Sequence, residues 1–305
     1  MKKVIVIGGS GFIGRAVQRH VLDQRMEKGF IFSYNKHPEK IYNNLEKVRI
    51  DLLNEDNIKA IESYPIAIYL AGNADHGLAG RFPSLDLDLN VKAFLDFMEE
   101  FRGSLVLLSS QAVYYGLEGE IHESEDHVST IPYGLSKQMI EAYAKYFLRT
   151  DALSKLWIFR LTYAFGEGEK ERRLIRRCAR ATYSNERVIV FGGGKSFLNP
   201  LPSWFVAKLL IKAVESLEEK SKGFLEITNM NYPENITVRD VVRFLGSIKH
   251  FDYIFSEGGE EWPVRFWGNT KNLSAYLKVW KIDFPNLWDG LKKYFTELVS
   301  GRKNG

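Results

Sequence analysis

The stretch Lys3-Val4-Ile5-Val6-Ile7, followed at once by Gly8-Gly9-Ser10-Gly11-Phe12-Ile13-Gly14, constrains this chain more than any other. An apolar, β-branched run reads as a buried strand, and Phe12 to Arg25 reads as an amphipathic helix. Gly9, Gly11 and Gly14 fit G-x-G-x-x-G, and Gly8, Gly11 and Gly14 fit G-x-x-G-x-x-G. Between a strand and a helix, such glycines permit a tight turn, close backbone approach and close helix-on-strand packing. The free N–H groups at the helix start then face an anion. A nucleotide diphosphate is therefore expected against Gly8, Gly11, Phe12, Ile13 and Gly14.

The remainder of the first half alternates strand-like and helix-like segments, the pattern of a doubly wound parallel α/β sheet of the Rossmann type. Strands are expected at Val4–Ile7, Phe30–Tyr34, Lys47–Ile50, Ile66–Leu70, Leu105–Ser109 and Trp157–Leu161. Helices are expected at Phe12–Arg25, Glu55–Ser63, Leu85–Phe101 and Pro132–Arg149. After Gly166 the rhythm changes. Helix Lys170–Tyr183, strand Val188–Phe191 and the turn Gly192-Gly193-Gly194 suggest a smaller, mostly C-terminal substrate lobe. Helix Phe205–Leu217 and strand Leu225–Asn229 return to the first sheet. The division expected is thus residues 1–166 with 201–230 for the dinucleotide, and 167–200 with 231–305 for substrate.

At 305 residues, 45% apolar and 26% charged, the chain has ample material for a core, and its net charge of +4 is mild. Arg172, Arg173, Arg176, Arg177 and Arg180 recur at helical spacing, either to meet phosphates or as a solvated helix face. No base-reading module accompanies them, so nucleic acid is not expected as a partner. The single cysteine, Cys178, rules out an internal disulfide framework and fits a reducing cytoplasm. The apolar run after Met1-Lys2-Lys3 stops at Ile7, too early for a secretory segment, and no uncharged apolar stretch is long enough to span a membrane. No metal is expected.

In open sheets of this kind ligands lie beyond the carboxyl ends of the strands. After the second strand come Ser33-Tyr34-Asn35-Lys36-His37. An NAD site would place an acid here for the adenosine ribose, and the first acid, Glu39, comes too late. Lys36 with Asn35 suits a 2′-phosphate, so NADP is expected ahead of NAD; the alternative is a solvated Lys36. Asp51 and Leu52 follow the third strand, placed for the adenine edge. Leu70, Ala71 and Gly72 follow the fourth, where backbone can approach the cofactor. His76, just beyond, either touches substrate or nicotinamide or is structural. Ser110 and Gln111 end the fifth strand. Tyr133 and Lys137 open a helix after Pro132 and project from one face, one turn apart. An ammonium beside a phenol stabilises the phenolate, which otherwise forms only near pH ~10.

With these residues the chain resembles the extended short-chain dehydrogenase/reductase family of NAD(P)-dependent nucleotide-sugar epimerases, dehydratases and reductases. The likeness runs from Lys3 to about Phe295. It is carried by the glycine loop, Asp51-Leu52, Tyr69 to Gly72, Asn90-Val91, Ser109 to Gly116, Tyr133 to Lys137, Arg160-Leu161 and Phe165-Gly166. The resemblance implies that Tyr133 is the acid/base, that Lys137 binds the nicotinamide ribose and lowers the tyrosine pKa, and that Ser110 holds the reacting oxygen. Asn90 would steady the active-site helices. It also implies a homodimer through helices Leu85–Phe101 and Pro132–Arg149, with Phe94, Phe97, Met98, Ile140, Tyr143 and Phe147 as either interface or core.

Departures from the family pattern narrow the activity. Family dehydratases carry an Asp-Glu pair directly after the catalytic Ser/Thr; Gln111 and Ala112 stand there and cannot exchange protons. Relatives follow the glycine turn with a phosphate-binding Arg that is missing between Gly194 and Phe205, where Lys195 offers a substitute. Arg265 matches a later family arginine and is the leading substrate-phosphate candidate, unless it packs as a surface arginine on Trp262 or Trp267. The expected activity is NADPH-dependent reduction of a keto group on a nucleotide-activated 4-keto-6-deoxy sugar, hydride coming from the nicotinamide and a proton from Tyr133. An NAD-dependent nucleotide-sugar epimerase is the alternative, and a non-catalytic NADP-sensing protein the third reading.

Overall fold

The computed structural model describes residues 3–54, 61–259 and 263–301. Its first elements are β1 (Val4–Ile7), α1 (Phe12–Asp23), β2 (Phe30–Tyr34), β3 (Glu46–Arg49), β4 (Ile66–Tyr69), α2 (His76–Arg81) and α3 (Pro83–Leu87). A π-turn over Asp88–Lys92 leads without a break into α4 (Ala93–Glu100), then β5 (Ser104–Ser110), β6 (Gly119–Ile121), α5 (Pro132–Arg149) and β7 (Lys155–Leu161). There follow β8 (Ala164–Phe165), α6 (Leu174–Ala181), β9 (Val188–Val190), β10 (Leu201–Pro202), α7 (Ser203–Glu219) and β11 (Leu225–Met230). Last come α8 (Val238–Ile248), β12 (Tyr253–Phe255), β13 (Phe266–Gly268), α9 (Lys271–Trp280) and α10 (Leu287–Ser300).

Seven strands form one parallel sheet in the order β11-β7-β5-β4-β1-β2-β3. Side chains alternate across a strand, so a strand apolar at every position must be covered on both faces. That is what β1 does: Val4 and Val6 pack with α1 and α7, while Ile5 and Ile7 pack with α4 and α5. The strand order reverses between β1 and β4, and the cleft that opens there at the carboxyl ends is where such sheets take their ligands. Three small parallel pairs, β8 with β10, β9 with β12 and β6 with β13, extend the fold on that side.

The expected sheet strands all form, with ends shifted by at most two residues. Two helices differ in an informative way. The helix expected over Leu85–Phe101 begins earlier, at Pro83, and is widened by the π-turn, which carries the buried Asn90. Helix Lys170–Tyr183 shortens to α6, because Lys170 to Arg173 form a turn closed by the Arg173 N–H donating to the Lys170 carbonyl at 3.0 Å. Residues 55–60 of the helix expected over Glu55–Ser63 lie outside the described residues. Phe94, Phe97, Met98 and Ile140, offered as interface or core, are core.

Candidate active site

The glycine turn is built as the spacing demands. Gly8 holds φ +82°, and the Gly11 N–H donates to the Gly8 carbonyl across 3.0 Å. A Cβ on Gly14 would lie 2.3 Å from the Gly9 carbonyl oxygen, so α1 can approach the turn only without a side chain there. Two residues not singled out from sequence brace the loop. Ser33 Oγ accepts from the Gly8 N–H at 2.9 Å, and the fully buried Gln18 donates to the Gly9 carbonyl at 2.8 Å. A glutamine on an otherwise apolar helix face was the available signal.

Beside this turn lies a cleft of about 350 Å³ lined by Gly8, Gly11, Asn35, Asp51, Leu52, Leu70, Ala71 and Gly72 among others. These expected cofactor residues, scattered over the sequence, are brought together. Phe12 and Ile13 instead pack against the core, Gly14 lies beneath the loop, and Lys36 is exposed and off the lining. The glycine turn with the start of α1 behind it, and Gly72 at φ +124°, form a cradle that fits a dinucleotide.

A second hollow, of about 200 Å³, opens next to it. Its lining includes His76, Ser110, Gln111, Tyr115, Thr162, Tyr163, Phe197, Asn199, Phe266 and Trp267. Among the described residues no formally charged side chain lines it; His76 is pushed down to about 4 by burial and is neutral. Ser110 caps the turn after β5 by accepting from the Ala112 N–H at 3.1 Å, and its hydroxyl acts to lower the Tyr133 pKa. His76 stacks on the Tyr133 ring with centroids 4.6 Å apart. Gln111 turns inward, donating to Asn231 Oδ1 at 2.6 Å.

The electrostatics of Tyr133 and Lys137 differ from expectation. Burial pushes the phenol up to about 12, against the lowering effect of the Ser110 hydrogen bond. Burial also pushes the Lys137 ammonium down to about 8, opposed by Asp86 and Glu141. Lys137 Nζ lies 5.7 Å from the centroid of the Tyr133 ring. In this arrangement the loss of water outweighs any help from the ammonium, and the tyrosine pKa is raised, not lowered.

Lys195 and Arg265 do not reach the second hollow. They line a third, of about 500 Å³, which shares Phe197 and Val264 with it as a common wall. Each is ion-paired at the surface, Lys195 to Glu257 at 2.8 Å and Arg265 to Glu118 at 2.9 Å. Trp262 lies outside the described residues. The arginine run near α6 is likewise taken up within the chain: Arg172 by Asp75, Arg173 by Glu169, Arg176 by Glu171 and Arg180 by Glu186. Cys178 is buried and its thiol is pushed up to about 12 by that burial, which marks a packing residue. No helix among the described residues is long and apolar enough to cross a membrane.

A family model described as NAD dependent epimerase/dehydratase matches residues 4–199. No curated protein matches the sequence. Among solved structures, a UDP-glucose 4-epimerase from Brucella ovis in complex with NAD superposes with a TM-score of 0.84 at 19% identity, over 98% of this chain and 99% of that one. A UDP-glucose 4-epimerase with UDP-glucose from Thermotoga maritima gives 0.82 at 20% identity, over 99% and 100%. A UDP-N-acetylglucosamine 4-epimerase from Methanobrevibacter ruminantium, in complex with UDP-N-acetylmuramic acid, gives 0.79 at 21%, over 98% and 97%. At these identities the likeness establishes a shared fold.

Proposed function

The chain belongs to the NAD-dependent epimerase/dehydratase family, of the extended short-chain dehydrogenase/reductase type, and from that premise we propose that it is a nucleotide-sugar epimerase acting on a UDP-hexose. One observation carries the reading: His76, which stacks on the Tyr133 ring at 4.6 Å, and Ser110 both line an aromatic hollow, within a fold shared along its length with UDP-sugar epimerases. Gln111 and Ala112 supply no second acid–base pair, which argues against dehydration.

Gly8, Gly11, Asp51, Ala71 and Gly72 would hold the dinucleotide, with the α1 N-terminus facing its diphosphate. The bound nicotinamide supplies reversible acceptance of hydride from a sugar carbon. Tyr133 takes the proton of the reacting hydroxyl and gives it back, and Ser110 holds that oxygen in place. Lys137 supplies positive charge that works against the burial which disfavours the phenolate. Inversion requires the sugar ring to present both faces in turn. A lining of Tyr115, Phe197, Phe266 and Trp267 grips by stacking more than by fixed polar contacts, which permits that rotation. Lys195 and Arg265, past the shared wall, suit the nucleotide diphosphate.

The test is incubation of the purified protein with UDP-glucose and no added cofactor. Appearance of UDP-galactose, with a nicotinamide dinucleotide released on denaturation, is expected. A Tyr133→Phe variant should lose on the order of 100-fold or more in turnover. A ketoreductase is the second reading, favoured by Asn35 at the end of β2, since Asp51 is the one carboxylate lining the cleft among the described residues. Turnover only of a 4-keto nucleotide sugar, with NADPH consumed one for one, would transfer the assignment to it. We also infer a homodimer. The exposed stripe on α5 is Leu135, Met139, Tyr143 and Tyr146, with Leu85 and Leu87 of α3 exposed as well.

A further inference from the structure

Asp86 has no part in the chemistry above, yet it is buried to 1% exposure in the middle of the candidate site. Its Oδ1 accepts from Asn73 Nδ2 at 2.7 Å and from Asn90 Nδ2 at 2.8 Å. Asn73 lines the cofactor cleft and fixes the loop into α2, donating to the Asp75 carbonyl at 3.1 Å and accepting from the Asp75 N–H at 2.9 Å. Asn90 also donates to Ser136 Oγ at 3.2 Å, and Ser136 donates to the Tyr133 carbonyl at 2.9 Å. One carboxylate oxygen thus joins the loop after β4, the π-turn and the first turn of α5.

Packing does not account for an acid at this place. Among the described residues Asp86 forms no close ion pair, and burying a carboxylate without one is costly, whereas an apolar side chain would fill the volume at no such cost. Its charge acts on the groups around it: Tyr133 and Lys137 from α5, and His76 from α2. Glu141, also on α5, adds to its effect on Lys137; Asp75 adds to it at His76; Arg173 opposes it at Tyr133 and His76.

We propose that Asp86 is a positioning residue of the reaction: it locks the three segments that carry Asn73, Asn90 and Tyr133 onto one another, and so sets a buried acid among Tyr133, Lys137 and His76. The proposal rests on the epimerase reading for its kinetic consequence. With the anion gone, Lys137, Tyr133 and His76 all release protons more readily. The whole activity profile must therefore move towards lower pH whichever group limits either limb.

Asp86→Asn tests this, because the amide keeps the shape and an acceptor oxygen and removes the charge. Its kcat–pH profile should shift acidward by roughly one unit, with KM for the nucleotide sugar little changed. The ultraviolet titration of the Tyr133 phenol, taken as the difference from Tyr133→Phe, needs no substrate and should shift the same way. A profile and a phenol titration at unchanged pH overturn the proposal, even if activity falls uniformly. A shifted phenol titration in a protein that turns over no UDP-hexose sustains it and sinks the epimerase reading instead. Should Asp86→Asn fail to fold, nitrogen-labelled lysine NMR of the unsubstituted protein, assigned with Lys137→Arg, decides. Titration of Lys137 near or above about 8 supports a buried anion among these groups, and titration well below neutrality overturns it.

Discussion

Arg160 and Glu141 show how much of this site is held by charges that never meet solvent. Glu141 accepts from Arg160 Nη2 at 2.7 Å and from Ser109 Oγ at 2.6 Å, while Arg160 donates through Nη1 to the Tyr114 hydroxyl at 2.7 Å. Tyr114 in turn donates to Asn229 Oδ1 at 2.9 Å, so the network ties the ends of β5, β7 and β11 to α5. Both charged groups are buried, and removing one leaves the other without compensation. Arg160→Met is expected to lower stability by about 3 kcal/mol or more, measured as a drop in the urea midpoint at unchanged slope. An intact midpoint would show that Glu141 finds another partner or a proton.

At the scale of single elements, α5 has three jobs on three faces. It buries Tyr133 and Lys137 in its first turns, off the lining of both the cleft and the second hollow, sends Ile140, Ala144 and Leu148 under the sheet, and leaves Leu135, Met139, Tyr143 and Tyr146 exposed. An apolar stripe of that length on a helix calls for cover. Met139→Glu with Tyr143→Glu should convert a dimer seen by sedimentation at micromolar concentration to a monomer; a protein that is monomeric before substitution removes the inference. The elements differ in how far the sequence reveals them. β1, its glycine turn and the Tyr133–Lys137 helix are legible because short-range steric and periodic rules decide them. Asp86 is not, since an acid in a helix reads as solvated. Its burial depends on the π-turn and on the loop at Asn73, which tertiary packing decides. The two-residue strands β8 and β10 leave no period to read. The raised Tyr133 pKa also escapes the sequence, because spacing shows the neighbouring ammonium and not the absence of water.

For the molecule as a whole, charge is partitioned along the path a nucleotide sugar would take. Lys195, Arg265 and Glu257 line the outer hollow, and among the described residues no formally charged side chain lines the inner one. A carboxylate on the sugar would be stripped of water there with nothing to pair it. UDP-glucose is therefore expected to outcompete UDP-glucuronic acid by about 100-fold or more in kcat/KM, equivalent to roughly 3 kcal/mol. Equal use of the two would show that a cation swings inward. The order of the strands has a consequence of another kind. β11 is the edge of the main sheet beside β7, and α7 packs against α1, although both come after β8, α6 and β9. The chain leaves the main sheet after β7 and comes back to finish it with α7 and β11. The sheet is thus stitched by two passes of the chain and not built in one. Cut at Gly166, the leading portion would keep every glycine of its loop and lose the helix that seals one face of its sheet. Its affinity for a dinucleotide is a property of the full chain and is not a part that can be lifted out.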